Sequence, residues 1–180
     1  MSHPPNRSSP QRLPPAGTTK ENVMKIYDRR SGQKRILVVD DDASVRETLA
    51  GVLVGEGYAV WTAGNGAEAL GIANTASVDL VILDLMLPGE SGWDIFERLT
   101  TENPLLSVII ATGRSNQLFT AASAGVGALL EKPLDFPKLL QTVGNLLAES
   151  PEIRLARMAG KSAKLHYLPA QQKEPAKQRI

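Results

Sequence analysis

Five short apolar runs dominate the middle of this chain: "RILVVD" at 35–40, "YAVWTA" at 58–63, "DLVILD" at 79–84, "LSVIIAT" at 106–112 and "GALLEK" at 127–132. They constrain the fold because runs such as "LVIL" and "SVII" do not alternate. A strand with one wet face reads apolar, polar, apolar; a strand that is apolar in succession must be buried on both faces, as in a parallel sheet covered by helices. Each run is followed by a stretch of helical periodicity, with Gly, Asn or Pro between them. Five β–α units of this size predict a doubly wound α/β domain with helices on both faces of a parallel sheet.

The helices can be placed from their caps and stripes. The first has Ser44 as N-cap with Glu47 three residues on, a capping box, and carries Val45, Leu49, Val52 and Leu53 on one face. The second runs from Asn65 to about Thr75. The third runs from Ser91 to about Glu102, with Ile95, Phe96 and Leu99 inward and Pro104 beyond its end. The fourth, from Ser115 to Ala124, has a weaker stripe of Leu118, Phe119 and Ala122. Leu139, Leu140, Val143, Leu146 and Leu147 mark the fifth, with Asp135 as its cap.

Composition sets the outer boundaries. The first fifteen residues hold five prolines and almost no large apolar side chain, too little to offset the entropy of ordering, so 1–33 is expected to be a disordered basic tail. The ordered domain is expected over 34–149. Residues 150–180 are expected to be a second basic tail, partly helical or disordered, with "PEIRLARMAG" extending the last helix. Residues 1–35 hold 8 Lys/Arg against 2 Asp/Glu, and 151–180 hold 7 against 2, whereas 36–150 holds 5 against 15. An acidic domain therefore carries basic ends, which any nucleic acid would meet first. No stretch reaches the roughly 18 apolar residues of a membrane span, and the polar start lacks the centre of a signal peptide, so a cytoplasmic location with no membrane partner is expected. With no cysteine, and with His3 and His166 both in the polar ends, zinc and thiol chemistry are excluded.

In doubly wound sheets ligands bind beyond the carboxyl ends of the strands. Along that edge lie Asp40, Asp41 and Asp42 after the first strand, Asp84 after the third, Thr112 after the fourth and Lys132 after the fifth. Carboxylates converging at one partly enclosed place repel, so keeping them ionised calls for a cation. An oxygen-only donor set points to a hard ion, and Mg²⁺ takes one or two carboxylates while keeping positions for water and phosphate. One lysine and one threonine hydroxyl aimed at the same point suit phosphoryl oxygens. Asp84 is then a candidate nucleophile that would form an aspartyl phosphate. Each feature has a duller reading when taken singly. Three aspartates before a helix also make a cap with favourable dipole charge; Thr112 also fits a plain strand end; Lys132-Pro133 also fits a turn. Asp84 is the hardest to dismiss, because a lone acid ending a buried strand is costly unless compensated.

The segments "ILVVDDD", "DLVILDLMLPGESG", "IIATG" and "EKPLD", in this order and spacing, resemble the receiver domain of bacterial two-component response regulators over residues 35 to about 148. The resemblance implies a flavodoxin-like, CheY-like five-stranded sheet of order 2-1-3-4-5. It implies a stand-alone switch in which Asp84 accepts a phosphoryl group from a sensor histidine kinase or histidine phosphotransfer protein. Asp41 and Asp84 would bind Mg²⁺ directly with the backbone carbonyl of Met86, and Asp40 would hold a metal-bound water. Lys132 and Thr112 would contact the phosphoryl group, and the Lys132-Pro133 bond would be cis. Output would pass to an unidentified downstream protein through protein contacts, with a homodimer among the expected states and nucleic acid not an expected partner. This chain departs from the pattern in having Leu129 where an aromatic is common on the fifth strand, and a segment between Thr112 and Lys132 about two residues short. Met86 and Arg114 stand at positions that in this family tune loss of the phosphoryl group.

Two other readings compete. An aspartate-nucleophile phosphohydrolase generally needs a second Asp two residues after the nucleophile, where this chain has Met86, so an enzyme acting on outside substrates is not expected. A DNA-binding regulator would act through the basic ends, with binding that weakens steeply with salt.

Overall fold

The computed structural model describes residues 32–114, 116–161 and 165–170. The tail expected over 1–33 lies outside the described residues up to position 31, as do 171–180. The elements are β1 (Arg35–Val39), α1 (Ala43–Gly55), β2 (Ala59–Ala63), α2 (Gly66–Thr75), β3 (Leu80–Leu83), α3 (Gly92–Glu102), β4 (Ser107–Thr112), α4 (Leu118–Ser123), β5 (Ala128–Glu131), α5 (Phe136–Ala148), α6 (Pro151–Met158) and β6 (His166–Leu168). The strands form one sheet of order β2-β1-β3-β4-β5-β6, in which all pairings are parallel.

The successive apolar residues of each strand are divided between two cores, because neighbouring side chains point to opposite faces. Leu37, Val39, Val81, Leu83, Val108 and Ile110 pack with Leu70, Ile95, Phe96, Leu99 and Ala121 of α2, α3 and α4. Ile36, Val38, Leu80, Ile82, Ile109 and Leu130 pack with Leu49 and Leu53 of α1 and with Leu139, Val143 and Leu146 of α5. Each Leu or Ile so enclosed contributes roughly 1.5–3 kcal/mol of burial. Both faces are thus closed, and the strand ends are the place left for chemistry.

Three local expectations are corrected. The N-cap of α1 is Asp42, not Ser44: the Asp42 carboxylate accepts both the amide and the hydroxyl of Ser44, at 2.8 and 2.7 Å. A charged acceptor one turn-step earlier outcompetes the serine hydroxyl, so no capping box forms around Ser44. Helix α4 begins at Leu118 instead of Ser115, which itself lies outside the described residues. Asn116 sits at φ 63°, a left-handed conformation that cannot continue a helix, and Gln117 makes no side-chain cap.

The third correction concerns the stretch after α5. "PEIRLARM" is a separate helix, since Glu149 is extended at φ −65° and ψ 141° and Pro151 starts a new helix. Beyond it β6 adds a sixth strand to the expected five. The expected order 2-1-3-4-5 is present inside that larger sheet. Among the described residues no helix is long and apolar enough to cross a membrane.

Candidate functional site

The backbone fixes the site before any side chain acts. Beyond the last residue of each strand the ladder continues by one hydrogen bond: Asp40 N–H donates to the Ala63 carbonyl at 3.2 Å, Asp84 N–H to Val39 at 2.9 Å and Lys132 N–H to Thr112 at 2.9 Å. Asp40, Asp84 and Lys132 are therefore held by the sheet rather than by loops, on elements the order β1-β3-β4-β5 sets side by side.

Their side chains converge. Asp40 and Asp84 are 3% and 4% exposed, and each divides its oxygens the same way. Asp40 Oδ1 accepts the Asp42 amide at 3.0 Å and its Oδ2 accepts Lys132 Nζ at 2.6 Å. Asp84 Oδ1 accepts the Met86 amide at 2.9 Å and its Oδ2 accepts Lys132 Nζ at 2.5 Å. One oxygen shapes the local turn and the other faces the shared cation. Burial alone would lower the Lys132 pKa, but the hydrogen bonds to Asp40 and Asp84, with their charges, outweigh it and raise the ammonium above the usual lysine value. The Lys132-Pro133 bond is cis, as the resemblance implies.

The three aspartates that follow β1 divide their work. Asp42 is spent on the α1 cap, where the hydrogen bonds from Ser44 hold its carboxyl below the usual range. Asp41 is exposed, and with Asp40 and Asp84 it forms a group in which one carboxylate oxygen from each residue lies within 4.8 Å of the other two. Three carboxylates against one ammonium leave excess negative charge that a hard dication would neutralise, and the donors are all oxygens. The residues present fit Mg²⁺. Thr112 is fully buried at the end of the neighbouring strand, its hydroxyl accepting the Arg114 amide at 3.2 Å. The structure thus gathers Asp40, Asp41, Asp84 and Lys132. Met86 joins them through its backbone amide, while its side chain is 55% exposed.

Two contributors were not anticipated. Arg46, on the first turn of α1, donates Nη1 to the Asp40 carbonyl at 2.5 Å and so clamps the acidic turn. A lone arginine just after an acidic run is the signal that could have found it. Gly92 opens α3, and a Cβ there would stand 2.5 Å from Leu85 Cα and 2.8 Å from the Asp84 carbonyl oxygen. Only the absence of a side chain lets α3 pass so close behind Asp84.

Comparison with known proteins agrees with this fold. The chain is 37% identical over 117 residues to the transcriptional regulatory protein GlrR of Escherichia coli K12, a match covering 64% of this chain and 26% of GlrR. It is 34% identical over 148 residues to the DNA-binding transcriptional regulator NtrC of Bradyrhizobium sp., covering 81% of this chain and 30% of NtrC. The chain therefore spans less than a third of the length of these two relatives. Among solved structures, a CheY-like receiver domain protein from Methanospirillum hungatei superposes with a TM-score of 0.62 at 29% identity, covering 64% of this chain and 94% of that one. The response regulator TrrA from Thermotoga maritima, solved in complex with Mg²⁺-BeF, superposes with a TM-score of 0.60 at 36% identity, covering 63% and 99%. Residues 36–144 match the model of the response regulator receiver domain, and with that match, the 2-1-3-4-5 strand order and the acidic rim facing one lysine, this chain belongs to the response regulator receiver family.

Proposed function

We propose that the chain is a phosphorylation-dependent signalling switch in which Asp84 accepts a phosphoryl group from a sensor histidine kinase or a histidine phosphotransfer protein. The observation that carries this reading is the rim itself: Asp84 and Asp40, both buried, share the ammonium of Lys132, with the Asp41 carboxylate within 4.8 Å. A strand-end carboxylate so held is fixed in place and largely desolvated.

In the transfer, an Asp84 carboxylate oxygen attacks phosphorus and forms an acyl O–P bond. The P–N bond to the donor histidine breaks, and its electron pair returns to the imidazole nitrogen. Lys132 exchanges its carboxylate partners for phosphoryl oxygens, and the Thr112 hydroxyl turns from the Arg114 amide to donate to another. Asp40, Asp41 and Asp84, with the Met86 carbonyl, would hold Mg²⁺. The ion supplies neutralisation of the charge gathered on the transferring group. Asp40, already committed to Lys132 and to the Asp42 amide, shapes the turn that presents Asp41.

The family is a signalling one, and this chain acts on no outside substrate in this reading; the acid/base position of a phosphohydrolase is Met86. It works in the cytoplasm, and its output is contact with another protein. A second reading, DNA-binding output, is favoured by the relatives' names and by the basic ends. It predicts salt-sensitive DNA binding that disappears when 151–180 is removed. The main reading is tested by incubating the chain and its Asp84→Asn variant with Mg²⁺ and acetyl phosphate and weighing both intact. One added phosphoryl group on the wild type alone is expected; none, or equal gain on both, overturns the assignment.

A further inference from the structure

The chain beyond α5 is fastened in two separate places. Helix α6 is anchored at the amino-terminal edge of the sheet, away from the acidic rim. Arg154 donates to the Leu105 carbonyl at 3.0 Å and to the Leu146 carbonyl at 3.1 Å, and the buried Arg157 pairs with Glu149. Gly125 lies directly under this helix, where a Cβ would come within 3.0 Å of the Arg157 carbonyl oxygen.

Strand β6 is held differently. It lies along the outer edge of β5 in register Ala128↔His166, Leu129↔Tyr167 and Leu130↔Leu168, with the His166 amide on the Gly127 carbonyl at 3.2 Å. Leu165 packs on one core and Leu168 on the other, both incompletely buried. At its far end both carboxylate oxygens of Glu131 are used: Oε1 accepts the Tyr167 hydroxyl at 3.0 Å and Oε2 the Ala170 amide at 3.3 Å. Glu131 is the residue before Lys132 and the register partner of Thr112. The side chain that holds the sixth strand thus sits next to Lys132 in the chain and directly across from Thr112 of β4, the two groups that must change partners at the acidic rim.

Three residues is the short end of the usual strand range, and the contacts that fasten β6 use none of the side chains that fasten α6. We propose that residues 165–170 are a latch on the β5 edge, docked while Lys132 bridges Asp40 and Asp84 and released when a phosphoryl group on Asp84 takes the ammonium away. Release uncovers the outer N–H and C=O groups of Ala128–Glu131, an edge competent to pair with another strand. The proposal rests on Asp84 being the phosphoryl acceptor. Because coupling between two sites is reciprocal, loosening the latch also favours the phosphorylated form.

The test is hydrogen exchange on the full chain, with and without Mg²⁺ and acetyl phosphate, each sample also weighed intact. The amides of His166, Tyr167, Leu168 and Ala170 are expected to exchange roughly 5- to 150-fold faster in the phosphorylated chain, the usual span of coupling between sites. Those of α6 should keep their rate. Without donor, Glu131→Gln and Tyr167→Phe are each expected to speed exchange at 166–170 and again to spare α6. A chain that carries the phosphoryl group yet exchanges at 166–170 as before overturns the latch and leaves phosphoryl acceptance standing. A chain that gains no phosphoryl mass overturns both. Unchanged exchange in the two variants shows that Glu131 does not fasten the strand, and that too overturns the latch.

Discussion

Replacing Lys132 by methionine isolates the electrostatic claim about the rim, because it keeps much of the side-chain volume and deletes only the cation. In the structure that cation lies 2.6 Å from Asp40 and 2.5 Å from Asp84, two carboxylates almost out of solvent. Removing one partner of a buried pair typically costs 3–5 kcal/mol, since an unpaired charge is left behind. The Lys132 side chain is 24% exposed, so water moderates the loss, and the expected cost is about 3 kcal/mol, at the low end of that range. For a domain of this size that is a fall in melting temperature of roughly 10 °C.

Magnesium should reverse most of it. An ion present at about 100 times its dissociation constant stabilises by about 2.7 kcal/mol, nearly the whole deficit. Thermal unfolding followed by circular dichroism, with chelator or with Mg²⁺, is the assay. The pH dependence has a definite sign. The Lys132 pKa is raised in the folded chain, so its stabilisation is complete below the ordinary lysine value of about 10.4 and is lost as pH rises through the higher folded value. The gap between wild type and Lys132→Met is then constant near neutrality and closes only in strong alkali. A variant within about 0.5 kcal/mol of wild type in chelator, the spread of ordinary surface substitutions, and indifferent to Mg²⁺, would refute the reasoning.

Gly92→Ala should destabilise the chain by about 1–3 kcal/mol and weaken Mg²⁺ binding, because the added methyl meets the Asp84 and Leu85 backbone, which cannot rotate away. Gly71→Ala, in α2 with nothing within 4 Å of its added carbon, is the matched control and should raise stability by up to about 1 kcal/mol. Asp42→Asn keeps an acceptor for Ser44 but removes a carboxyl held below its usual range. The stability owed to that charge is present above about pH 3.9 and is lost as pH falls through the lowered value, so acid melts of the two chains should converge there.

Much of the sheet could be read from the chain because Ile36–Val39, Leu80–Leu83 and Val108–Ile110 are apolar without interruption, and double burial leaves few alternatives. The rim was equally legible, since strand ends of a parallel sheet must share one edge. What stayed hidden had weak local signals. Which of Asp40, Asp41 and Asp42 would cap α1 depends on where β1 stops, and three like residues do not announce that. Phe119 contributed to the expected stripe of α4 yet is 83% exposed, and the left-handed Asn116 shortens the helix. Strand β6 has only three residues and is specified by main-chain pairing with β5 and by one glutamate 36 positions away, which no periodicity reveals. Arg154 and Arg157 counted as tail charge but bind carbonyls and Glu149 inside the fold, so less of the basic C-terminal stretch is available to a nucleic acid than its composition suggests.

The measurement closest to the central claim is chemical trapping of the modified carboxylate. The chain is incubated with Mg²⁺ and acetyl phosphate, reduced with borohydride to convert an acyl phosphate into an alcohol, digested and sequenced by mass. Reduction at position 84 alone, dependent on Mg²⁺, is the predicted result; label at Asp40 or Asp41, or none anywhere, would contradict it.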